Sequence, residues 1–426
     1  MTLDVRYVGT RGVKLPGSYN LNDAEIRRNR LFDALEITRA GGNAPLFDQM
    51  LKGLNFGSGI GVIGVDVSGS EALRRHATFR TDIANGNYVV VSRTLSTTNL
   101  GTVQPPLTNA GLLRSSGLFP PNFIVTNPQF GNITYRTNSD SSNYHSLQTQ
   151  VTLRPTHGIQ YQATYTWSKS LGIDSGGSGA LGTFRDLQNR RADYALLSSN
   201  RAHDFRSYGT FELPFGPGKL VGSNTSSWAA RIIEGWKIGM ILNMTSGAPM
   251  NVIGGNTLYG LGAQYNGTPN VVGDFPRETG VVWPLKPGDA FGNLFAQQFK
   301  QVNDPACSTV APSLVQWCTL KALADANGNI VLRNGAPGQL GTLGLRPIDG
   351  FGTRSFDANV QKTIRIRESK TVTFRLDANN VLNHPNPGVL SPTISPVNLN
   401  INSGTFGEIN SKNGSRALQA LIRFDF

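Results

Sequence analysis

Along residues 143–170 apolar and polar side chains alternate with a period of two, in two arms joined by a short break. In the first arm Leu147, Val151 and Leu153 share one parity, against Gln148, Gln150, Thr152 and Arg154 on the other. Pro155 and Gly158 then mark a tight turn. In the second arm Ile159, Tyr161, Ala163, Tyr165 and Trp167 oppose Gln160, Gln162, Thr164, Thr166 and Ser168. Successive side chains of a strand point to opposite faces, so the unit predicts an antiparallel hairpin with one apolar and one hydrogen-bonding face. Gln, Thr and Ser on the polar face suit a hydrated lumen, and a solvated soluble sheet would carry them too.

The same two-beat pattern returns along the chain. Phe205, Phe211 and Leu213 oppose Asp204, Arg206, Tyr208, Thr210 and Glu212. Trp236, Ile238, Met240, Leu242 and Met244 oppose Lys237 and Asn243. Phe356, Ala358, Val360, Ile364 and Ile366 oppose Asp357, Asn359, Gln361, Thr363 and Arg365, with Lys362 interrupting the apolar row. Val372, Phe374, Leu376 and Ala378 oppose Thr373, Arg375, Asp377 and Asn379. The last stretch sets Leu418, Ala420, Ile422, Phe424 and Phe426 against Gln419, Leu421, Arg423 and Asp425.

About eight strands follow, near 2–9, 143–154, 159–170, 202–213, 233–246, 354–367, 371–382 and 415–426. Strands of ~10 residues match a tilted bilayer crossing, whereas soluble strands are commonly ~5–6 residues. The connections alternate in length, with tight links at 155–158 and 368–370 and a moderate one at 214–232. The long links 10–142, 171–201, 247–353 and 383–414 all fall on one side by parity. Short inner turns and long outer loops characterise transmembrane barrels. The predicted fold is all-β: a partial transmembrane antiparallel β-barrel of about eight long strands, its long extracellular loops carrying short helices. Residues 22–40 are one helix-forming stretch, with Asp23 near the start and Gly41 past the end. "DANGNIVL" predicts a small hairpin about Asn327-Gly328.

Composition agrees. Of 426 residues, 38% are hydrophobic and 15% charged, with 49 glycines, a turn-rich and uncharged-polar balance. The net charge of +12 raises nucleic acid as a partner, but the basic residues are mostly Arg scattered over strands and loops, so none is expected. No stretch approaches the ~20 apolar residues of a membrane helix. Cys307 and Cys318 lie in one loop-like region without a CxxC or Cys/His cluster. They form a candidate disulfide, which implies an oxidising compartment; two unrelated thiols are the alternative.

"LDVRYVGTRGVKLP", "NYHSLQTQVTLRPTHGIQYQATYTWSKS", "NRAHDFRSYGTFELPFG", "GWKIGMILNMTSGAPM", "FRLDANNVLNHPNPG" and "RALQALIRFDF" recur in order from end to end. In these the chain resembles the C-terminal part of a TonB-dependent outer-membrane receptor of the Oar-like kind. The resemblance implies a bacterial outer-membrane location, a larger barrel around an N-terminal plug, and coupling to the TonB system. Residues 1–426 then correspond to the C-terminal portion of the barrel, with the plug and signal peptide outside them. It further implies that Phe426, Phe424 and Ile422 form the ending read by the barrel assembly machinery. The expected function is ligand binding at the outer loops for uptake into the periplasm, the ligand being unidentified. A surface adhesin or binding barrel that transports nothing is the alternative.

No enzyme chemistry emerges. His76, His145, His157, His203 and His384 form no HExxH or HxH pattern. His203 and Asp204 are strand neighbours and so face opposite ways. "DANGN" opens like a calcium loop, but Ile330 stands where that loop needs Gly, so a turn is expected. "GSGIGVIG" lacks both phosphate-loop patterns and reads as a flexible loop. "SGAPMNVIGG" is either a ligand-gathering rim or an ordinary turn. No catalytic residue, cofactor or metal site is expected. Arg206, Lys237, Asp357, Arg365, Arg375, Asp377 and Arg423 are candidate lumen charges, tying walls or a plug through ion pairs or passing an anionic ligand. Trp167, Trp236, Tyr165 and Phe426 are candidates for aromatic girdles.

Overall fold

A computed structural model describes the chain except residues 58, 98–110, 132, 174–184, 187–188, 226, 256–266, 281–291, 297–298, 368–369, 388–396 and 410. Eight long strands form one antiparallel path: β1 (Thr2–Asn20), β2 (Thr134–Thr156), β3 (Ile159–Ile173), β4 (His203–Glu212), β5 (Trp236–Thr245), β6 (Thr353–Arg367), β7 (Lys370–Asn379) and β8 (Ala417–Asp425). Each pairs with the next in chain order, the meander that short turns produce. Among the described residues β1 and β8 do not pair with each other, so the wall is curtain-like and open.

The registers place the predicted faces. Tyr165, Phe205 and Met244 stand opposite one another across β3, β4 and β5, and Met244 stands opposite Arg354 of β6. The apolar rows are not sealed in a protein core. Leu3, Tyr7, Trp167, Val360, Phe374, Leu376, Ile422 and Phe424 are all exposed. An exposed apolar face this long has no place in water; in a bilayer it is the side that meets acyl chains.

β1 runs to Asn20 and β2 begins at Thr134. The first long connection is therefore 21–133, shorter than the 10–142 read from periodicity. In these extensions Gly12, Lys14, Pro16, Ser141 and Ser142 blur the alternation, because strand that rises above lipid has no apolar face to keep. The helix expected over 22–40 is confined to α1 (Leu31–Arg39). Asn20 and Asn22 hold the preceding backbone in turns instead, Asn22 donating to the carbonyls of Asn127, Phe130 and Gly131. "GSGIGVIG" is an ordered turn with Gly57, Gly59, Gly61 and Gly64 at positive φ and an Asn55–Val62 bridge. Its Ser58 lies outside the described residues.

The long connections fold into two compact layers. In the first, α1, α2 (Pro45–Met50), α3 (Gly69–Arg75), α4 (Ala77–Asn85), α5 (Tyr88–Thr97) and α6 (Gly111–Ser116) bury Leu35, Phe47, Leu73, Phe79, Ile83 and Tyr88. A Cβ on Gly69 would sit 2.5 Å from the Phe47 carbonyl, so α2 and α3 meet only through glycine. Val310, Ala311 and Leu314, from the connection between β5 and β6, join this core. The second layer is built from the β5–β6 and β7–β8 connections around Phe295, Leu332, Val397 and Ile401. It includes the Lys321–Ala324 and Ile330–Arg333 hairpin, where Asp325 accepts the Asn327 and Asn329 amides. That turn is the Asn327-Gly328 hairpin expected from sequence.

Cys307 and Cys318 are disulfide-bonded, with Cα atoms 5.5 Å apart. The segment they close docks on the helical layer. The Arg80 guanidinium lies 3.3 Å from the Trp317 ring centre. Asn85 donates to Thr319 Oγ1 at 2.9 Å and accepts the Thr319 amide at 2.8 Å.

Candidate functional site

The polar face of β2–β5 lines a cavity of ≈ 610 Å³ that runs beneath the segment leading into β4. Strand alternation brings Gln148, Gln162, Thr164, Thr166, Tyr208 and Asn243 to it. Tyr208 donates its hydroxyl to Gln162 Oε1 at 2.9 Å, and Arg206 grips Asp204 through Nε and Nη2, both at 2.9 Å. At the upper margin Ser168 donates to the Arg201 carbonyl at 2.7 Å, and Asn200 accepts the Ser170 amide at 2.7 Å. The guanidinium of Arg201 is tied to the Ser198 and Asn200 carbonyls. The lining is mostly amides and hydroxyls with two arginines, Arg206 paired with Asp204 and Arg201 held by backbone carbonyls, so most of what it offers is neutral hydrogen-bonding groups.

The connection between β3 and β4 is held by a buried ion pair. Arg185 donates from Nε to Asp193 Oδ1 at 2.6 Å and from its amide to Oδ2 at 3.0 Å, with both side chains buried. Arg185 Nη2 also donates to the Ala192 carbonyl, and Nη1 reaches Thr268 Oγ1 at 3.4 Å in the β5–β6 connection. A paired, hydrogen-bonded buried charge of this kind fixes one geometry rather than adding much net stability.

The candidate lumen charges lie along the polar parity but do not converge. Arg206 lines the cavity. Arg375 pairs with Asp377 at 2.6 Å and Arg423 with Asp425 at 2.8 Å, each pair on one strand and two residues apart. Asp357 accepts the Asn380 amide at 2.7 Å. Lys237 stands opposite Glu212 and Gln361, and Arg365 opposite Thr371. Arg201 and Asn200 had no periodic signal in the sequence; their place depends on a turn just outside β4. "SGAPMNVIGG" is the junction of wall and second layer: Pro249 and Met250 are buried and pair with Ile348 and Asp349. A Cβ on Gly247 would approach the Gly350 carbonyl to 1.9 Å, so this junction closes only on glycine.

On the apolar face, Tyr165 and Trp167 stand toward the loop end and Trp236 toward the turn end. Trp236 donates to the Ile232 carbonyl at 3.0 Å. Lys362, the break in the apolar row, is buried. Its ammonium donates to the Arg231 carbonyl at 2.7 Å and to the Glu234 carbonyl, at the C-terminus of α7 (Ser227–Ile233). Carbonyls left over at a helix end are the natural acceptors for a cation. Phe426, Phe424 and Ile422 are exposed at the end of β8, on its outward parity. Among the described residues no group of three or more His, Cys, Asp or Glu side chains forms a metal-binding cluster, and no helix is long and apolar enough to cross a membrane.

Neither a curated protein nor a solved structure matches the chain. A family model described as an outer membrane beta barrel domain matches residues 1–419. With the strand-built wall, its exposed apolar rows and the polar face behind them, this match shows that the chain belongs to the outer membrane β-barrel family and resides in the bacterial outer membrane.

Proposed function

We propose that the chain forms part of the barrel of a receptor of the TonB-dependent, Oar-like type. In this reading the two folded loop layers and the polar cavity receive a ligand from outside, and the lumen passes it toward the periplasm. Inward movement needs a plug in the lumen and coupling to the TonB system. The C-terminal Phe426, Phe424 and Ile422 serve recognition by the barrel assembly machinery. The protein acts on its ligand by binding and passage, without chemistry on it. The reading rests chiefly on the ≈ 610 Å³ polar cavity, which continues from the wall's inner face under the β3–β4 connection. Its lining favours a hydroxyl- or amide-rich ligand, because amides and hydroxyls dominate it, Arg206 is held by Asp204 and the Arg201 guanidinium is held by the Ser198 and Asn200 carbonyls.

The test is a thermal-shift screen of the detergent-solubilised chain against oligosaccharides, peptides and metal chelates, followed by uptake of the hit in cells. Binding that Tyr208→Phe and Gln162→Ala weaken, with periplasmic accumulation abolished when the TonB system is disabled, supports the receptor. Binding to the loops with no accumulation in energised cells supports a surface-binding barrel without transport. The extent of the folded loop layers favours that second reading. A hit whose affinity ignores both cavity variants removes the cavity from the mechanism.

A further inference from the structure

A second cavity lies on the opposite face of the wall, where the receptor reading assigns nothing. It measures ≈ 470 Å³ and is lined by Tyr165, His203, Phe205, Met244, Arg354 and the Ser246–Gly247 turn, among others. Tyr165, Phe205, Met244 and Arg354 occupy one row across four strands. With strands ~4.8 Å apart, that row is ~14 Å long. All four have the outward parity, so this groove is continuous with the surface that meets acyl chains.

Its chemistry is graded. Phe205 and Met244 make an apolar floor. The rim is polar: the Tyr165 hydroxyl and His203 Nδ1 are 2.7 Å apart, and Arg354 is exposed at the outer end of β6. Asn386 fixes the Arg354 backbone from both sides, accepting its amide and donating to its carbonyl, each at 2.9 Å. Among the described residues no carboxylate forms an ion pair with Arg354. The outward parity of β3, β4, β5 and β6 contains no Asp or Glu at all, whereas the inward parity of β4 and β6 contains Asp204, Glu212 and Asp357. Every acid on these strands has been kept off the side where Arg354 waits.

We propose that this outward groove is a lipid-binding site for a diacyl lipid with a net-anionic phosphate head. Acyl carbon lies on Phe205 and Met244, and the phosphate takes Arg354, with the Tyr165–His203 pair as polar rim. A guanidinium with no ion-pair partner among the described residues, at the edge of an apolar membrane groove, is best matched by a net-anionic phosphate headgroup. The site faces lipid, so it stands or falls separately from the lumen cavity.

The full chain in neutral detergent, titrated with phosphatidylglycerol or phosphatidylcholine of equal acyl length and read by native mass spectrometry, tests it. Phosphatidylglycerol should be retained at least tenfold better. Arg354→Gln should erase that preference, Arg354→Lys should keep most of it, and Arg333→Gln in the distant second layer should not change it. Equal retention of the two lipids, or a preference untouched by Arg354→Gln, overturns the proposal. So does glycerol phosphate binding as tightly as the lipid, which would mark a site for a free anion. Should Arg354→Gln fail to fold, salt decides: a wild-type preference that falls with added NaCl supports the site, and a flat one overturns it.

Discussion

Met240 and Ile241 are neighbours at the centre of β5, and they face opposite ways. The strand spans Trp236–Thr245, ten residues, so its midpoint falls between these two. At ~3.3 Å per residue it is ~33 Å long, and a tilt of ~40° leaves a height of ~25 Å, the apolar band of an outer-membrane barrel. Both side chains therefore sit close to the bilayer midplane. Met240 stands between Gly209 and Ala358 on the outward parity, whereas Ile241 lines the polar cavity. Arginine on the lipid face at the midplane costs about 2–4 kcal/mol. On the lumen face the guanidinium stays hydrated, near Arg206 and Asp204, and the expected cost is under ~1 kcal/mol. Met240→Arg should thus be the more destabilising by about 2 kcal/mol or more, although the two positions share depth, strand and flanking strands. Urea-dependent folding into phosphatidylcholine vesicles, followed by heat-modifiable gel mobility and tryptophan fluorescence, measures both. Equal costs would mean that β5 does not separate lipid from water, and the facing of the whole wall would fall with it.

Other expectations concern the loop layers. Reducing Cys307–Cys318 opens a loop of sequence separation 11, worth about 3 kcal/mol in the chain-entropy picture; hydrogen exchange should rise in 305–320 and in α4, which the Trp317 and Thr319 contacts join to it, and stay unchanged in β4 and β5. Asp193→Ala strands the buried Arg185 guanidinium and should cost about 3–5 kcal/mol locally, read as rapid proteolysis between β3 and β4; Arg185→Met with Asp193→Leu should recover most of it. His76 caps α4 by accepting the Thr78 amide on Nδ1 at 3.2 Å. Desolvation first, and then the nearby Arg80, hold its pKa below the ordinary 6.5. A depressed value means the unfolded chain binds the proton more readily, so this stability is complete above about pH 6.5 and is lost as pH falls. Burial raises Asp23 and Asp82, which act in the opposite sense, so the readout is the difference between wild type and His76→Gln: the melting of the helical layer should fall more steeply below pH 6.5 in the wild type, and identical pH profiles would refute the assignment.

The wall was legible because bilayer crossing imposes a two-residue period on every strand, and eight strands recur near the expected places with their faces as expected. The extensions of β1 and β2 were not, since Gly12, Lys14, Pro16, Ser141 and Ser142 break the two-residue period there. The loop layers were nearly invisible. Their cores draw on residues far apart in the chain, with Leu35 and Leu314 in one core and Leu332 and Ile401 in the other, and no local pattern announces that they share a core. Lys362 shows the same limit in one residue. It reads as an error in an apolar row, and only the carbonyls of Arg231 and Glu234, more than a hundred residues earlier, make it consistent. The polar cavity was half legible: alternation gave Gln162, Thr164, Tyr208 and Asn243, while Asn200 and Arg201 follow from a turn.

The inward charges carry a further point about selectivity. Inward ion pairs were expected to tie wall to wall or wall to plug. Arg206–Asp204, Arg375–Asp377 and Arg423–Asp425 instead pair within single strands, two residues apart. A pair confined to one strand cannot brace it against its neighbour, and exposed pairs of this kind contribute ~0–1 kcal/mol. What they do is cancel charge where they stand. Each arginine that points inward on β4, β7 and β8 brings its own carboxylate, so these strands present a lumen surface of near-zero local charge despite a chain net charge of +12. On these three strands the field that would attract an anion is cancelled close to its source. In the proposed receptor, selection falls to the amides and hydroxyls of the cavity, Gln162, Thr164, Tyr208 and Asn243, whose hydrogen bonds depend on ligand shape more than on ligand charge. The outward groove shows the reverse arrangement: among the described residues Arg354 has no ion-pair partner, and the outward parity of β3–β6 contains no Asp or Glu.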